Sequence, residues 1–537
     1  MPELEVPVLI AGGSLVGLSA AALLGRHGIA SLAVERHCGT AIHPRAAHAT
    51  QRTMEIFREL SLEGPVCERS AQQFVQNGGV VAVDHLLGGA TTEFIADLNA
   101  GVRDVSPCER IFLSQNALEP FLAQRATELG ATLRFSTEVL SVEERSDHVV
   151  AILRDRHSGE TSTVRSLYLV AADGAHSAIR KHLGIGMMGR PPFSRSITIH
   201  FRANLRAPLA DKQWAVVYVN NAQLRGFFRF EKPFDSAFLV VNTVGDVAHP
   251  HTDVSSDLTE ERAREFVQIA LGSREIPITI DAVMHWEAAA QVASRLQSGR
   301  IFLAGDAAHV MPPTGGFGGN TGIQDAHNLA WKLGLVLRNQ ASADLLATYE
   351  VERLPVARLS LEQAYTRYVL RTDPSLGSAQ CEPLVHDLDI ELGYVYRSAG
   401  VVAEGPGEAP AHMSPRDSRG RPGTRAPHLW LEKNGRRISS LDLQDGHFTL
   451  LAGPEANTWC DAARTAAMEL RVELDIVRCG REDLADPQDE LTRAHGIDTD
   501  GCILIRPDGF VGWRARNGAG ASPQVIGSTL AKLLGRE

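Results

Sequence analysis

The chain has 537 residues, which is more than one hydrophobic core usually supports, so two or three domains are expected. Its composition is typical of a globular protein, and the formal net charge of −11 argues against a nucleic-acid or anionic-membrane surface. No apolar run approaches a membrane span and the N-terminus is acidic rather than basic, so we predict a cytoplasmic protein.

The first predicted unit is a strand, a glycine turn, a helix and a second strand. The strand Val6–Ala11 precedes Gly12–Gly17, the helix covers Leu18–His27, and the strand Ser31–Val34 ends at Glu35. The acid follows the last glycine by eighteen positions, which is close to the spacing of dinucleotide-binding βαβ units.

The residue types in this turn suit the binding of a dinucleotide for physical reasons. Gly12 permits the tight turn, Gly17 lets the helix pack closely on the strand, and the helix N-terminus can receive a pyrophosphate. Glu35 can accept both ribose hydroxyls of an adenosine, which favours FAD or NAD(H) over a 2′-phosphate. Ser14 stands where the usual pattern has its middle glycine, which narrows the approach to the phosphate.

Two polar residues outside this unit are candidates for ligand contacts. Arg45 lies in a predicted loop, where its guanidinium can reach a pyrophosphate or pair with a surface acid. Gln115 stands at the start of a predicted helix with Ser114 or Asn116 as its N-cap, and it can bind a ligand or cap the helix.

A second apolar strand, Tyr168–Ala172, also ends in a carboxylate turn. Asp173-Gly174 follows it, with Ser177 and Arg180 on the next helix. An Asp-Gly dipeptide alone predicts only a turn. Because that turn does not explain the serine and the arginine, we predict that Asp173 lies where the strand-turn-helix units meet.

Residues from about 191 to 286 alternate as strands do, which predicts an antiparallel sheet over the cofactor. Half or more of its aromatic residues are expected in the core rather than in an apolar pocket. These aromatic residues are Trp214, Tyr218, Phe227, Phe228, Phe230 and Trp286. From them and the polar candidates His200, His285 and Arg225, we select Trp214, Tyr218, Arg225, Phe228 and Trp286 as substrate-pocket residues.

A third strand, Ile301–Ala304, runs into Gly305-Asp306 and a Pro- and Gly-rich loop, Pro312–Gly319. Glycines without Cβ atoms let a flat ring lie against the backbone, and the following helix offers free N–H groups and partial positive charge. This geometry suits the negative charge of a reduced flavin. Asp306 can accept hydrogen bonds from a ribityl chain.

Residues near 398–427 are rich in Gly, Pro and Ser, which predicts a linker. The order of elements after it, βαβ, a hairpin and a helix, is typical of a thioredoxin-like domain. Cys460 has no partner for a redox dithiol, so we interpret this domain as structural, for packing or dimer contacts. The seven cysteines are scattered without zinc spacing, and no metal site is predicted.

Together these motifs resemble the single-component (class A) flavoprotein aromatic hydroxylases, the phenol hydroxylase and p-hydroxybenzoate hydroxylase group. Within the group the chain is similar to the aromatic polyketide hydroxylases, such as tetracenomycin hydroxylase and aklavinone 11-hydroxylase. The resemblance covers nearly the whole chain. It is carried by GGSLVGLS at Gly12, HPRA at His43, GGFGGNTGIQDAHNLAWKL at Gly315, GRPGTRAPHLWL at Gly420 and LIRPDGFVGWR at Leu504.

The resemblance implies roles for individual residues. Glu35 would hold the adenosine ribose, Arg45 the pyrophosphate or flavin, and Asp306 the ribityl chain, while Asp173 would serve both FAD and NAD(P)H. Gln115 would contact FAD, and the Val139 backbone would pair with adenine. The full cofactor set is Gly12, Ser14, Leu15, Val16, Gly17, Glu35, Arg36, Arg45, Gln115, Val139, Asp173, Asp306, Pro313, Gly318, Gly319 and Asn320, the last three through backbone groups facing the flavin.

The implied activity is reduction of FAD by NADPH or NADH, capture of O2 as a flavin C4a-hydroperoxide, and hydroxylation of a polycyclic aromatic polyketide in antibiotic biosynthesis. The protein is expected to orient the cofactor and the substrate, to exclude water from the site and to stabilise charge on the reduced flavin. No catalytic acid or base can be named from the sequence. Two alternatives stay open: Baeyer–Villiger oxygenation on the same fold, and a flavin protein that only sequesters an intermediate.

The predicted fold class is α/β, with a Rossmann-like FAD-binding domain, an inserted β-sheet substrate domain and a C-terminal thioredoxin-like domain. The FAD-binding domain is assigned to residues 1–75, 110–190 and 287–397. The substrate domain takes residues 76–109 and 191–286, and the C-terminal domain 398–537. A homodimer is possible; no nucleic-acid or membrane partner is expected.

Overall fold

The computed structural model describes residues 3–42, 47–245, 248–251, 253–256, 258–405, 410–480 and 484–536. Within these ranges, no helix combines the length and the apolar character needed to cross a bilayer. The α-helices are α1 (Leu15–Arg26), α2 (Gln51–Glu59), α3 (Glu63–Gln73), α4 (Gln115–Glu128), α5 (Ala178–His182), α6 (Arg206–Leu209), α7 (Glu260–Leu271), α8 (Phe317–Leu337), α9 (Thr348–Arg371), α10 (Asp387–Glu391), α11 (Asn457–Leu470), α12 (Leu491–His495) and α13 (Pro523–Leu533). Short 3₁₀ helices span Gly305–Ala307, Ala343–Ala347, Pro374–Leu376, Ser378–Gln380 and Ser440–Leu443.

The strands of the described residues form four sheets. They are β1 (Glu3–Ala11), β2 (Ser31–Val34), β3 (Gly79–His85), β4 (Gly88–Ile95), β5 (Thr132–Arg134), β6 (Thr137–Glu144), β7 (Val149–Asp155), β8 (Thr161–Ala171), β9 (Met187–Arg202), β10 (Trp214–Asn220), β11 (Leu224–Glu231), β12 (Ser236–Val244), β13 (Thr279–Ala293), β14 (Gln297–Ser298), β15 (Ile301–Leu303), β16 (His309–Val310), β17 (Trp430–Lys433), β18 (Arg436–Ser439), β19 (Phe448–Ala452), β20 (Leu474–Arg478), β21 (Leu484–Ala485), β22 (Cys502–Ile505) and β23 (Val511–Ala515).

A parallel sheet forms the first layer of the molecule. Its order is β14-β15-β8-β1-β2-β5, and β15, β8, β1, β2 and β5 run parallel, while β7 and β6 extend the sheet from β8 in antiparallel fashion. Val8, Leu9 and Ile10 on the central strand are fully buried in a core to which the helices α1, α4 and α8 and the strands β6 and β7 all contribute residues. The parallel arrangement brings the C-terminal ends of β1, β8 and β15 to one edge, as the three strand-turn motifs required.

The second sheet has the order β16-β13-β9-β12-β11-β10-β3-β4 and is antiparallel except where β10 pairs with β3. One face packs on α7 around Phe266 and Val267, forming a separate core. The predicted boundary at 286/287 falls inside β13, which continues to Ala293 and pairs with β16 next to the third turn. The last residue of β13, Ala293, belongs to the core of the first layer, so this strand of the second sheet links the two layers.

The C-terminal region contains a sheet of order β20-β19-β22-β23, with β19 and β20 parallel and the others antiparallel. The parallel pair, the hairpin and the last helix follow in the predicted chain order. Trp331 and Leu335 of α8 belong to the core of this region. Since α8 has 21 residues, about 30 Å of helix joins this core to the glycine loop at its other end.

A buried ionic network locks the C-terminal region onto α8 and α9. Arg506 Nη1 and Nη2 donate to the Glu352 carboxylate at 2.6 and 2.9 Å, and Arg506 Nε donates to Asp508 Oδ1 at 3.0 Å. Lys332 Nζ donates to Glu352 Oε2 at 2.8 Å. All four side chains are at most 1% exposed, so each charge depends on its partners for the solvation that water would otherwise supply.

Replacement of Arg506 by Ala is expected to lower the free energy of unfolding by about 3–5 kcal/mol, because the Glu352 and Asp508 carboxylates lose a shared buried partner. Chemical denaturation followed by tryptophan fluorescence measures the change. The matched control is Arg464→Ala on α11, whose pair with Asp461 is exposed and should contribute little. Equal stability losses in the two variants would contradict this role for Arg506.

Candidate active site

A cavity of about 1750 Å³ lies between the edge of the parallel sheet and the second sheet. This volume exceeds that of a typical single-ligand pocket, so it can hold a cofactor and a second molecule. Most of the predicted site residues line it. These are Gly12, Ser14, Leu15, Val16, Glu35, Arg36, Gln115, Val139, Asp173, Tyr218, Trp286, Asp306, Pro313, Gly318, Gly319 and Asn320.

Two predicted cofactor residues, Gly17 and Arg45, are not among these lining residues. Gly17 lies behind the first turn rather than on the cavity wall. A Cβ added at Gly17 would lie 1.8 Å from the Gly12 carbonyl oxygen, so this glycine is required for close packing. Arg45 lies outside the described residues, and its contact with a pyrophosphate or flavin stays a prediction.

Polar side chains fix the first turn. Gly12 has φ +109°, and a Cβ there would lie 2.2 Å from the Ala172 carbonyl oxygen. Ser14 Oγ donates to Glu119 Oε1 at 2.5 Å and accepts from Gln115 Nε2 at 2.9 Å. Ser14, at the N-cap of α1, thus uses its hydroxyl to join α1 to α4, and the N-terminal N–H groups of α1 face the cavity.

Glu119 is a site residue that the sequence interpretation missed. Its carboxylate is fully buried and also accepts from the Ala41 backbone N–H at 2.6 Å. The sequence signal that could have identified Glu119 is its spacing from Gln115, because residues four apart share one face of a helix. In the structure Gln115 Nε2 donates to Glu119 Oε1 at 2.7 Å.

Glu35 lies at the end of β2, as predicted. Its Oε2 accepts from the Gly13 N–H at 2.8 Å and its Oε1 from the His37 N–H at 3.0 Å. These two bonds hold the carboxylate at the cavity wall near the first turn, where the ribose of a dinucleotide would lie.

The second turn contains Asp173, whose Oδ2 accepts from the Ile179 N–H at 3.2 Å. Its Oδ1 is buried and has no hydrogen-bond partner among the described residues, which leaves it available for a ligand. Ser177 Oγ caps α5 by accepting from the Arg180 N–H at 2.9 Å. Arg180 Nη1 donates to the Ala307 carbonyl at 2.9 Å, so this arginine ties the second turn to the third.

The third turn leads into α8 through Gly315 and Gly316, which have φ values of +88° and +67°. The Asn320 side chain is occupied by protein contacts: Oδ1 accepts from Thr50 N at 2.9 Å and Thr53 Oγ1 at 2.6 Å. Its Nδ2 donates to the carbonyls of His48 and Gly316. Asn320 therefore fixes the helix start and leaves backbone groups to face the cavity.

A buried carboxylate that the sequence interpretation also missed supports this turn. Asp325 Oδ2 lies 2.7 Å from His309 Nε2 and accepts from the Gly305 N–H at 3.2 Å, and its Oδ1 accepts from Arg353 Nε at 2.8 Å. Burial alone would raise the pKa of Asp325, but the charges of His309 and Arg353 outweigh it and lower that pKa. The sequence signal that could have identified Asp325 is an acidic residue placed among the apolar positions of α8.

The sheet above the cavity corrects three substrate-pocket assignments. Side chains alternate between the two faces of a strand, and in β11 the cavity side is occupied by Phe227 and Arg229. Phe228 is fully buried on the opposite face, in the core with α7. Trp214 packs against that same core, and Arg225 precedes a register shift and donates to Thr243 Oγ1 at 2.8 Å. These three residues do not line the cavity, whereas Tyr218 and Trp286 do.

One end of the cavity is rich in buried charge. Arg110 Nε donates to Glu391 Oε2 at 2.8 Å, with both side chains at most 5% exposed. The guanidinium of Arg229 lies 4.0 Å from the ring centroid of Phe112, and burial lowers the pKa of Arg229 to about 9. Burial, with Arg110 and Arg229 nearby, lowers the pKa of His48 to about 3, so that this imidazole is neutral.

The fold and the cavity together are typical of a dinucleotide-binding α/β protein whose cavity has room for a second molecule under an antiparallel sheet. Residues 5–364 match the FAD binding domain family and residues 419–536 match the family described as aromatic-ring hydroxylase, C-terminal. The chain therefore belongs to the FAD-dependent aromatic-ring hydroxylases, and is a flavin-dependent aromatic monooxygenase by family.

Three similar proteins illustrate the range of the family. A 4-methyl-5-nitrocatechol 5-monooxygenase from Burkholderia sp is 50% identical, with 96% of this chain and 95% of that protein covered. A tetracenomycin B2 monooxygenase-dioxygenase from Streptomyces olivaceus is 37% identical, with 100% of each covered. The crystal structure of aklavinone-11 hydroxylase with FAD and aklavinone is similar at a TM-score of 0.91 and 33% identity, covering 100% of both chains.

Gly318→Ala is expected to leave the fold intact and to weaken FAD binding about tenfold or more. A Cβ at Gly318 would lie 3.6 Å from Met311 Cγ, an ordinary contact, but it would project where a flavin ring would lie against the backbone. Fluorescence titration of the apoprotein with FAD measures the affinity, and thermal denaturation of the apoprotein checks the fold.

The matched control for this substitution is Gly64→Ala, at the second residue of α3, where a Cβ would meet no atom of the described chain within 4 Å. It should change neither FAD affinity nor fold. Unaltered FAD affinity in Gly318→Ala would remove this glycine from the flavin site.

Proposed function

We propose that this chain uses FAD, NADPH or NADH, and O2 to hydroxylate a phenolic ring that carries an ionisable hydroxyl group. The observation that carries the proposal is that one continuous cavity joins the three carboxylate and glycine turns to a face of aromatic and arginine side chains. A cofactor at the turns would place its ring next to whatever molecule occupies that face.

The residues present fit FAD along the whole turn edge. Glu35 would hold the ribose, the N-terminus of α1 the pyrophosphate, and Asp306 the ribityl chain. Asp173 Oδ1, which has no hydrogen-bond partner among the described residues, would accept a hydrogen bond from the bound dinucleotide. Because Gly318 has no side chain, the flavin ring would lie directly against its backbone. When bound, FAD would accept electrons from NAD(P)H and then activate O2, which no protein side chain can do.

The remaining tasks belong to the chain's own residues. The N-terminus of α8 would stabilise negative charge on the reduced cofactor through its N–H groups. The sheet side chains Tyr218, Phe227 and Trp286 would exclude water and hold the aromatic ring. The arginines at the charged end would favour the phenolate, which is the more electron-rich form of a phenol.

The substrate class has two candidates, and we favour a one-ring catechol or nitrophenol. The Burkholderia relative, at 50% identity, acts on a nitrocatechol according to its name, and nitro groups make phenols acidic. Such an anion fits a site whose end contains Arg110 and Arg229. The polycyclic aromatic polyketide predicted from the sequence is the second candidate, supported by the volume of the cavity and by the aklavinone complex.

The C-terminal region is proposed to be thioredoxin-like by its strand order β20-β19-β22-β23, with a structural rather than redox role. The domain boundaries given above are kept as a proposal, with the substrate domain extended along β13 to Ala293. The cytoplasmic location and the homodimer stay predictions from the sequence.

The test is turnover of purified holoenzyme with 4-nitrocatechol, 4-methyl-5-nitrocatechol and tetracyclic phenolic polyketides. We expect aromatic-stimulated NAD(P)H oxidation and a new phenol from the nitrocatechols, with kcat/KM at least tenfold above that for the polyketides. Product NMR separates a new hydroxyl group from the ester or lactone of a Baeyer–Villiger reaction. NAD(P)H oxidation that no aromatic compound stimulates would instead favour a protein that sequesters an intermediate.

A further inference from the structure

The charged end of the cavity contains a carboxyl–guanidinium pair that is not among the residues assigned to the cofactor. Glu391 is 4% exposed and Arg110 is 5% exposed, and both line the cavity. Arg110 Nη1 donates to the Leu98 carbonyl, but Arg110 Nη2 has no hydrogen-bond partner among the described residues. A buried N–H of a cation without an acceptor is costly, which points to a ligand oxygen as its partner.

This pair lies close to the predicted flavin position. Ile390, next to Glu391 on α10, packs against Phe317, the first residue of α8. His48, which also lines the cavity, lies so near the glycine loop that a Cβ at Gly316 would be 2.6 Å from its Nδ1. A ring bound between these elements would have one edge at the pair and another facing α8.

The charges around Glu391 come from several elements. Arg110 and Arg229 lie on a loop and on β11, Arg367 and Arg371 on α9, and Asp387 on α10 itself. Four guanidinium groups thus face two carboxyl groups, so the site as a whole favours an added negative charge. His48 is neutral, and burial raises the pKa of Tyr218, so that neither contributes charge near neutral pH.

We propose that Glu391 and Arg110 form a proton-accepting anion subsite, in which Glu391 takes the hydroxyl proton of the bound phenol and Arg110 Nη2 binds the resulting oxyanion. The O–H bond of the phenol breaks, the O–H bond of a neutral Glu391 carboxyl forms, and no electrons are transferred. This inference rests on the proposed phenolic substrate and assigns it a proton acceptor.

The state of the Glu391 carboxyl agrees with this role. Burial, helped by the charge of Asp387, raises its pKa to about 7 although Arg110 opposes the shift. The carboxyl group is therefore neutral below about pH 7 and ionised above it. Arg367 and Arg110 hold the pKa of Asp387 low against its burial, so Asp387 stays ionised across the range in which Glu391 titrates.

The first test uses the unmodified holoenzyme and benzoate, an anion throughout about pH 5.5–8.5. Because anion binding requires the neutral Glu391 carboxyl, the Kd for benzoate should rise about 10–30-fold between those limits. The range ends below the pKa of Arg229, which is about 9. Benzamide, the neutral isostere, should bind equally at all pH values. A benzoate Kd that does not change with pH would overturn the proposal.

The second test compares Glu391→Gln with Asp389→Asn, a carboxyl-to-amide change on the same helix away from the cavity lining. Glu391→Gln should abolish the pH dependence of benzoate binding, and Asp389→Asn should retain it. With unsubstituted catechol, whose hydroxyl groups stay protonated in solution at pH 7, Glu391→Gln should slow single-turnover hydroxylation about 10²-fold at that pH, and the rate should recover as the pH rises and the substrate ionises in solution.

Flavin reduction by NAD(P)H should be the same in both variants, which separates a proton-transfer defect from a folding or cofactor defect. Retained pH dependence in Glu391→Gln, or an equal loss of rate in Asp389→Asn, would overturn the assignment. Failure of the wild-type enzyme to hydroxylate any phenol would instead overturn the proposed function. The benzoate titration would still decide whether the subsite exists.

Discussion

The cavity depends on the buried carboxylate of Asp325. This one side chain joins α8, the turn after β15 and α9, because it accepts from the Gly305 N–H and from Arg353 and contacts His309. Arg353 in turn donates to the Thr321 carbonyl inside α8 and to the Tyr396 hydroxyl. Since every member is buried, the geometry of the third turn is fixed by electrostatics as well as by packing.

Helix α8 connects the cavity to the C-terminal region. Its N-terminus is held at the cavity by Asn320, and its C-terminal half contributes Trp331 and Lys332 to the contacts with the C-terminal region. Arg506 and Asp508 complete that contact with Glu352 of α9. The C-terminal region therefore supports the helix that faces the cavity, and none of its described residues lines that cavity.

The sequence was most informative where local backbone geometry decides the outcome. The three turns at Gly12, Asp173 and Asp306 could be predicted because glycine and carboxylate positions are visible in the chain, and parallel strands bring them to one edge. Strand alternation alone does not say which face is covered by a helix, so the sequence predicts Phe228 in the pocket, whereas Phe227 faces the cavity. Glu119, Asp325 and Glu391 each depend on partners distant in sequence, such as Ser14 for Glu119 and Arg110 for Glu391.

The alternating faces of β11 have an evolutionary consequence. Phe227 and Arg229 line the cavity, whereas Phe228 and Phe230 belong to the apolar layer that packs on α7. Under the proposed function, substrate preference and folding stability would therefore depend on separate, interleaved sets of residues. A lineage with this architecture would move from single-ring to multi-ring compounds by changing every second residue of a strand, while the core on the other face of that strand kept its residues.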